Sequence, residues 1–192
     1  ILSFLSGALY VGAFWVQSKY LLYFDYMPLI SLFFLPAGVK LVAFIVARGA
    51  GFLGVSAGTS LTLHLDRTWS PPEVHDYFTS IQFFCLIPFV GILLAQKMLK
   101  IRSDLVGMTG LQVALLAIFG AFINGISINL YMLIEGVISR QDVGVGILAA
   151  MFGNVAGIVF LIFIISIYIA LLTKRSGMPR DLEIILIQTQ FA

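Results

Sequence analysis

Charge is scarce in this chain: 10% of its 192 residues are Asp, Glu, Lys or Arg, against roughly 25% in soluble domains. With 60% hydrophobic residues and a mean hydropathy of +1.07, no soluble fold could hide the apolar surface. The net charge of +2 is spread over several loops, which gives no basic patch for nucleic acid. Cysteine is nearly missing as well. Cys85 stands alone, so an internal disulfide is excluded, and its apolar surroundings read as those of a buried structural thiol. Histidine is limited to His64 and His75, which share a polar loop with Asp66, Glu73 and Asp76. Their spacing matches no metal signature, so no metal is expected there. No His-Glu-x-x-His run occurs, and no Asp pair falls inside two apolar segments. Every carboxylate lies in a loop or at a segment edge, whereas an ion-coupled carrier favours acids within its spans. A catalytic role and a cofactor are therefore not expected.

What the chain does have is long apolar runs. Six are of helix length: segment A at about 1–17, B at 21–47, C at 49–63, D at 77–96, E at 108–134 and F at 145–173. Roughly 20 apolar residues cross a bilayer as a helix, so the expected fold is an all-α, polytopic transmembrane bundle of about six spans. Period-2 alternation is rare, which argues against a closed barrel. Segment C is the weakest, being short and glycine-rich, and a re-entrant B–C turn would change the count. Residues 1–173 are read as one membrane domain and 174–192 as a short cytoplasmic or interfacial tail. The chain opens on Ile1 rather than methionine, so an upstream start is expected. Segment A lacks a basic leader and a small-residue cleavage pattern, and is read as a retained helix.

Lys and Arg are retained on the cytoplasmic side of spans. The D–E loop carries Lys97, Lys100 and Arg102, and the tail carries Lys174, Arg175 and Arg180. Two helices separate them, and the same parity adds Arg48 and the Lys40 end of segment B. Eight of eleven basic residues then face the cytoplasm, with both termini inside.

Lys40 is the most provocative residue, because a charge at mid-helix costs about 2.5–3.5 kcal/mol on insertion scales unless paired or solvated. Pro36 is taken to interrupt its helix one turn earlier. Two readings stand: Lys40 snorkels to the cytoplasmic interface near Ala47, or it anchors an acidic ligand, a headgroup or a partner carboxylate. Asn124, Ser127 and Asn129 in segment E and Asn154 in segment F form a second polar set, suited to interhelical hydrogen bonds or to ligand contact. Gln82 and Gln112 belong to the same class. Small residues four apart mark faces for close helix approach or for a partner subunit: Ala8 and Gly12; Ala50, Gly54 and Gly58; Ala149, Gly153 and Gly157.

Leu35-Pro36-Ala37-Gly38-Val39-Lys40, followed by Gly51-Phe-Leu-Gly54 and by Phe152-Gly153-Asn154-Val-Ala-Gly157 in the last segment, resembles the MASE-type integral membrane sensor domains of bacteria. Those domains have an early Pro-x-Gly element and a glycine–aspartate-containing final helix; here Asn154 replaces the acid. The resemblance implies a multi-pass input module of the bacterial inner membrane that feeds a cytoplasmic kinase or cyclic-dinucleotide enzyme. No such output follows Lys174, so signalling would go through a partner. The expected function is a non-catalytic, sensor-like accessory or scaffold subunit of a larger membrane complex, with membrane lipids and other membrane subunits as partners. The alternatives are a stand-alone membrane sensor and a small-molecule binder such as the capture subunit of a vitamin importer, with Lys40, Asn124, Asn129 and Asn154 lining its pocket. A lipid- or pigment-handling role rests only on seventeen phenylalanines.

Overall fold

The structure, a computed structural model, describes residues 1–27, 29–65 and 77–175. Its helices are α1 (Leu2–Tyr20), α2 (Leu35–Val42), α3 (Arg48–Leu65), α4 (Tyr77–Ile81), α5 (Ile87–Met98), α6 (Gly110–Ile134) and α7 (Val143–Arg175). Wide π turns, Ala43–Ala47 and Gln82–Leu86, extend α2 and join α4 to α5. A small antiparallel hairpin, β1 (Asp25–Met27) with β2 (Ile30–Ser31), separates α1 from α2. Among the described residues, four helical runs are long and apolar enough to cross a membrane: Leu35–Leu65, Phe78–Met98, Gly110–Ile134 and Val143–Leu172. This is the build of an integral membrane protein. Segment A forms α1, which is not among the four; Ser3, Ser6, Gln17, Ser18 and Lys19 dilute its apolar character.

The run Leu35–Leu65 is bent back on itself. Arg48 has φ 49°, in the left-handed region where an L-residue is strained. A Cβ on Gly51 would strike the Ala43 carbonyl, so the chain after Arg48 lies against the chain before it. The neighbours of α1 agree. Gln17 and Tyr10 face Leu35 and Lys40, which makes α2 antiparallel to α1. Gly7 lies on Gly54, and Gly58 lies on Gly7 and Tyr10, which makes α3 parallel to α1. The remaining rods continue the alternation. Ser80 meets Tyr131 and Gln112 meets Leu99, so α4–α5 and α6 are antiparallel. Asn154 meets Ala121, and Gly125 meets Ile147, so α6 and α7 are antiparallel.

Segment B was expected to be one helix over 21–47. Instead its first half is a 3₁₀ turn and the hairpin, and its helix is eight residues plus a five-residue π turn, about 20 Å at 1.5 Å per residue. Pro36 is in the first turn of α2, where a missing amide costs nothing, rather than at mid-helix as expected. The irregular backbone is covered by protein: Gly153 and Gly157 of α7 lie directly on the carbonyls of Ser31 and Phe34, and the Phe34 amide donates to the Gly153 carbonyl at 2.9 Å. Non-helical backbone at membrane depth is tolerated only under such cover. The tail from residue 176 lies outside the described residues.

Candidate functional site

The interior between α1, α2, α4–α5 and α6 is organised by Lys40. Its side chain is 4% exposed, and Nζ donates to the Phe84 carbonyl at 2.8 Å and to Asn124 Oδ1 at 3.0 Å. The Tyr10 ring lies 5.9 Å from Nζ, within reach of a cation–π contact. Lys40 therefore does not snorkel to the interface. Nor does a carboxylate meet it: among the described residues Arg102–Asp104 is the ion pair found, and both its members are exposed.

The carbonyl that Lys40 uses is available for a local reason. In an α-helix the amide of residue 88 would donate to the carbonyl of Phe84, and in a π turn to that of Phe83; residue 88 is proline and has no N–H. Both carbonyls are answered from other helices, Phe84 by Lys40 and Phe83 by the Ser127 hydroxyl in a short contact. In lipid an unanswered carbonyl costs several kcal/mol by rough estimate, so the π turn and the proline after it together leave two acceptors that tie the α4–α5 rod to α2 and α6. Below the pair, Phe44 and Phe52 pack on Phe89 at 5.2 and 5.1 Å between centroids. Cys85 is fully buried, its thiol 3.3 Å from the Thr59 hydroxyl.

The four polar residues singled out by sequence do not form one group. Lys40, Asn124 and Asn154 border a common cavity of about 10 Å³, together with Pro88, Gly120 and Ala121. Asn154 Nδ2 donates to the Ala121 carbonyl over 3.4 Å, and Asn124 Nδ2 is buried without a partner. Leaving such a donor unmet costs about 1–3 kcal/mol. Asn129 is turned away: its Nδ2 returns to the Gly125 carbonyl of its own helix at 2.8 Å, and its Oδ1 presses on Gly146 of α7. A second cavity, about 30 Å³, lies on the other side of Lys40 among Tyr10, Phe34, Thr59, Thr62 and Phe84. Each has room for about one or two waters.

Gln17 was missed by the sequence reading. Fully buried in α1, its Oε1 accepts from the Leu35 amide at 3.1 Å and its Nε2 donates to Ser31 Oγ at 3.2 Å. It thereby supplies the cap that Phe34, the residue before α2, cannot. A glutamine inside an apolar run was the available signal. Gln112 closes a capping box with Thr109 at the start of α6 and reaches the Leu99 carbonyl at 3.0 Å. Gln82 opens the π turn of the α4–α5 rod.

Among the small residues, Gly54, Gly58, Gly153 and Gly157 sit in tight helix contacts, and Ala149 is buried in α7. Ala8 and Gly12 do not: α1 meets α3 through Ser3, Gly7 and Tyr10, while Ala8 and Gly12 are exposed and floor an open groove of about 750 Å³ with Trp15, Leu53 and Ala57. A second apolar groove, about 420 Å³, runs between α2, α6, α7 and the 104–108 loop.

Gly54-Val55-Ser56-Ala57-Gly58 also spells Gly-x-Ser-x-Gly, contrary to the expectation that no such run is present. A hydrolase needs that serine on a strained strand-to-helix turn. Here Ser56 lies mid-way along α3, its hydroxyl is buried without a partner, and both glycines are occupied by contact with α1. The motif serves packing. His64 closes α3; His75, Asp66, Glu73 and Asp76 lie outside the described residues, and no metal-binding group of His, Cys, Asp or Glu occurs among the described ones.

Outside the spans, burial pushes the Asp25 carboxyl above its ordinary range, partly offset by Ser31. The Arg102 guanidinium holds the exposed Asp104 carboxyl below it.

No family model matches the chain, and comparison with curated proteins and with solved structures gives no match either.

Proposed function

We propose that this chain is a non-catalytic, sensor-like membrane module that acts as an accessory or scaffold subunit of a larger complex in a bacterial inner membrane. One observation carries the reading: Lys40, Ser127 and Asn154 are spent on bonds to the bundle's own backbone and side chains, while the large hollows are apolar and open to the outside. A ligand-binding site ordinarily offers about 300–1,000 Å³ with convergent polar groups, and the cavities beside Lys40 hold about 10 and 30 Å³. A vitamin-capturing role would require that core to open. The likeness to MASE-type domains at Leu35–Lys40 and Phe152–Gly157 supports the sensor-like part of the reading.

The proposed topology is six membrane-embedded rods with both ends cytoplasmic. Its support is that Arg48, Lys97, Lys100, Arg102, Lys174 and Arg175 fall at one end of the alternating rods, and Lys19 and Arg140 with Asp25, Glu135 and Asp142 at the other. Lys40 belongs to neither end.

The test is native mass spectrometry of the chain extracted gently from its own membrane. A stoichiometric protein partner is the expected result. Turnover of a substrate by the isolated chain, or a retained vitamin-sized molecule with no protein partner, overturns the proposal.

A further inference from the structure

Donors are left over at the Lys40 cavity. Lys40 has three N–H groups and spends two, on the Phe84 carbonyl and on Asn124 Oδ1. Asn124 Nδ2 is buried with no acceptor at all. Asn154 Nδ2 spends one of its two hydrogens on the distant Ala121 carbonyl. All three residues border the same hollow, whose other walls are Ala37, Leu41, Pro88, Ile92, Gly120, Ala121 and Ile158. Each of these three side chains is at most 4% exposed. Among the described residues no carboxylate balances the ammonium, and a charge inside a bilayer is stable only when it is paired.

We propose that this cavity is a binding site for a single monoatomic anion of the halide class, held by Lys40 Nζ, Asn124 Nδ2 and the second hydrogen of Asn154 Nδ2. An anion answers donors without bringing hydrogens that need acceptors of their own, as a water would. It also supplies the counter-charge that the bundle lacks around Lys40. The volume of about 10 Å³ admits one sphere near the size of a water, so polyatomic anions are excluded. Gly120 matters because a Cβ there would meet Leu41 Cδ1 at 3.3 Å and Ile92 at 3.5 Å. These are flexible side-chain ends, so alanine is accommodated by filling the hollow while every donor stays in place. The site is independent of the accessory-subunit reading and would persist if that reading failed.

The experiment is thermal unfolding of the full-length chain in detergent, with sodium gluconate exchanged for sodium chloride or bromide at constant ionic strength. The expected result is a saturable rise in unfolding temperature with chloride and bromide. That rise should be lost in Lys40→Met and in Gly120→Ala, and kept in Gly12→Ala, whose Cβ meets nothing. Should Lys40→Met fail to fold, Gly120→Ala carries the test alone. An unfolding temperature that is the same in gluconate and halide means the cavity holds water and overturns the proposal. A halide response that survives in Gly120→Ala overturns it too, by locating the ion elsewhere.

Discussion

The bundle is held together along two seams made in different ways. Where α1 meets α3, the contact is close packing at glycine: Gly7 on Gly54, and Gly58 on Gly7, Tyr10 and Val11. Where α2 and α6 meet the α4–α5 rod, the contact is polar, with Lys40 and Ser127 each answering a carbonyl of the π turn. Lipid tails are as apolar as leucine, so burial alone attracts neither seam. The first holds by excluding volume and the second by satisfying acceptors. A single methyl should therefore damage one, and loss of a single donor the other.

The largest effect is expected in the packed seam. Gly54→Val pushes a branched side chain into the Ser3 carbonyl of α1 and should cost about 3 kcal/mol, the upper part of the range for overpacking, in reversible unfolding from detergent by a denaturing surfactant. Gly12→Val, on the same pair of helices but over open groove, should change little. Equal losses at both positions would break the distinction between a used and an unused small-residue face.

The polar seam is tested next. Lys40→Met leaves the Phe84 carbonyl and Asn124 Oδ1 without their donor and should cost about 2 kcal/mol. Pro88→Ala restores an amide able to reach the α4–α5 carbonyls, so the double variant should lose less than the sum of the two single ones; strict additivity in the cycle would show that Lys40 is not there for the carbonyl. Ser127→Ala removes one donor to Phe83 and should cost about 0.6–1.7 kcal/mol, the span measured for interhelical bonds in membranes.

The smallest effect lies outside both seams. Because burial raises the Asp25 carboxyl, its contribution to stability is fully present below its unfolded value near 4 and is lost as pH rises through the higher folded value. Asp25→Asn should flatten that mildly acidic decline in a pH series of unfolding temperatures and leave the curve at lower pH unchanged. A decline that stays in the variant would assign it to another group.

The apolar runs were legible from sequence because hydropathy alone decides them, and Gly153 and Gly157 were legible because a tight helix contact needs small residues at that spacing. The hairpin inside segment B was not: Leu22, Tyr23, Phe24, Ile30, Phe33 and Phe34 are as apolar as a membrane helix, and only contact with α7 makes their irregular backbone tolerable. Spacing also over-read α1. Ala8 and Gly12 permit close approach, but the helix uses the neighbouring face with Gly7. Lys40 was visible as an anomaly, yet its acceptor depends on Pro88, far along the chain, and its fellow donor Asn124 on the antiparallel docking of α6. No local pattern links those three.

The reversal at Arg48 bears on how the chain enters the bilayer during synthesis. An apolar run of about 19 residues is read as one membrane crossing, and Leu35–Leu65, at 31 residues, would register as one. In the proposed six-rod topology, folding it back at Arg48 would change that one crossing into an out-and-return, and so switch the parity of every segment made afterwards. In that topology the side of the membrane that receives Lys97, Arg102 and Arg175 would depend on the fold-back at which Gly51 lies against Ala43. A bulky residue at position 51 would be read out at the far end of the protein, by a reporter fused to the C-terminus changing sides.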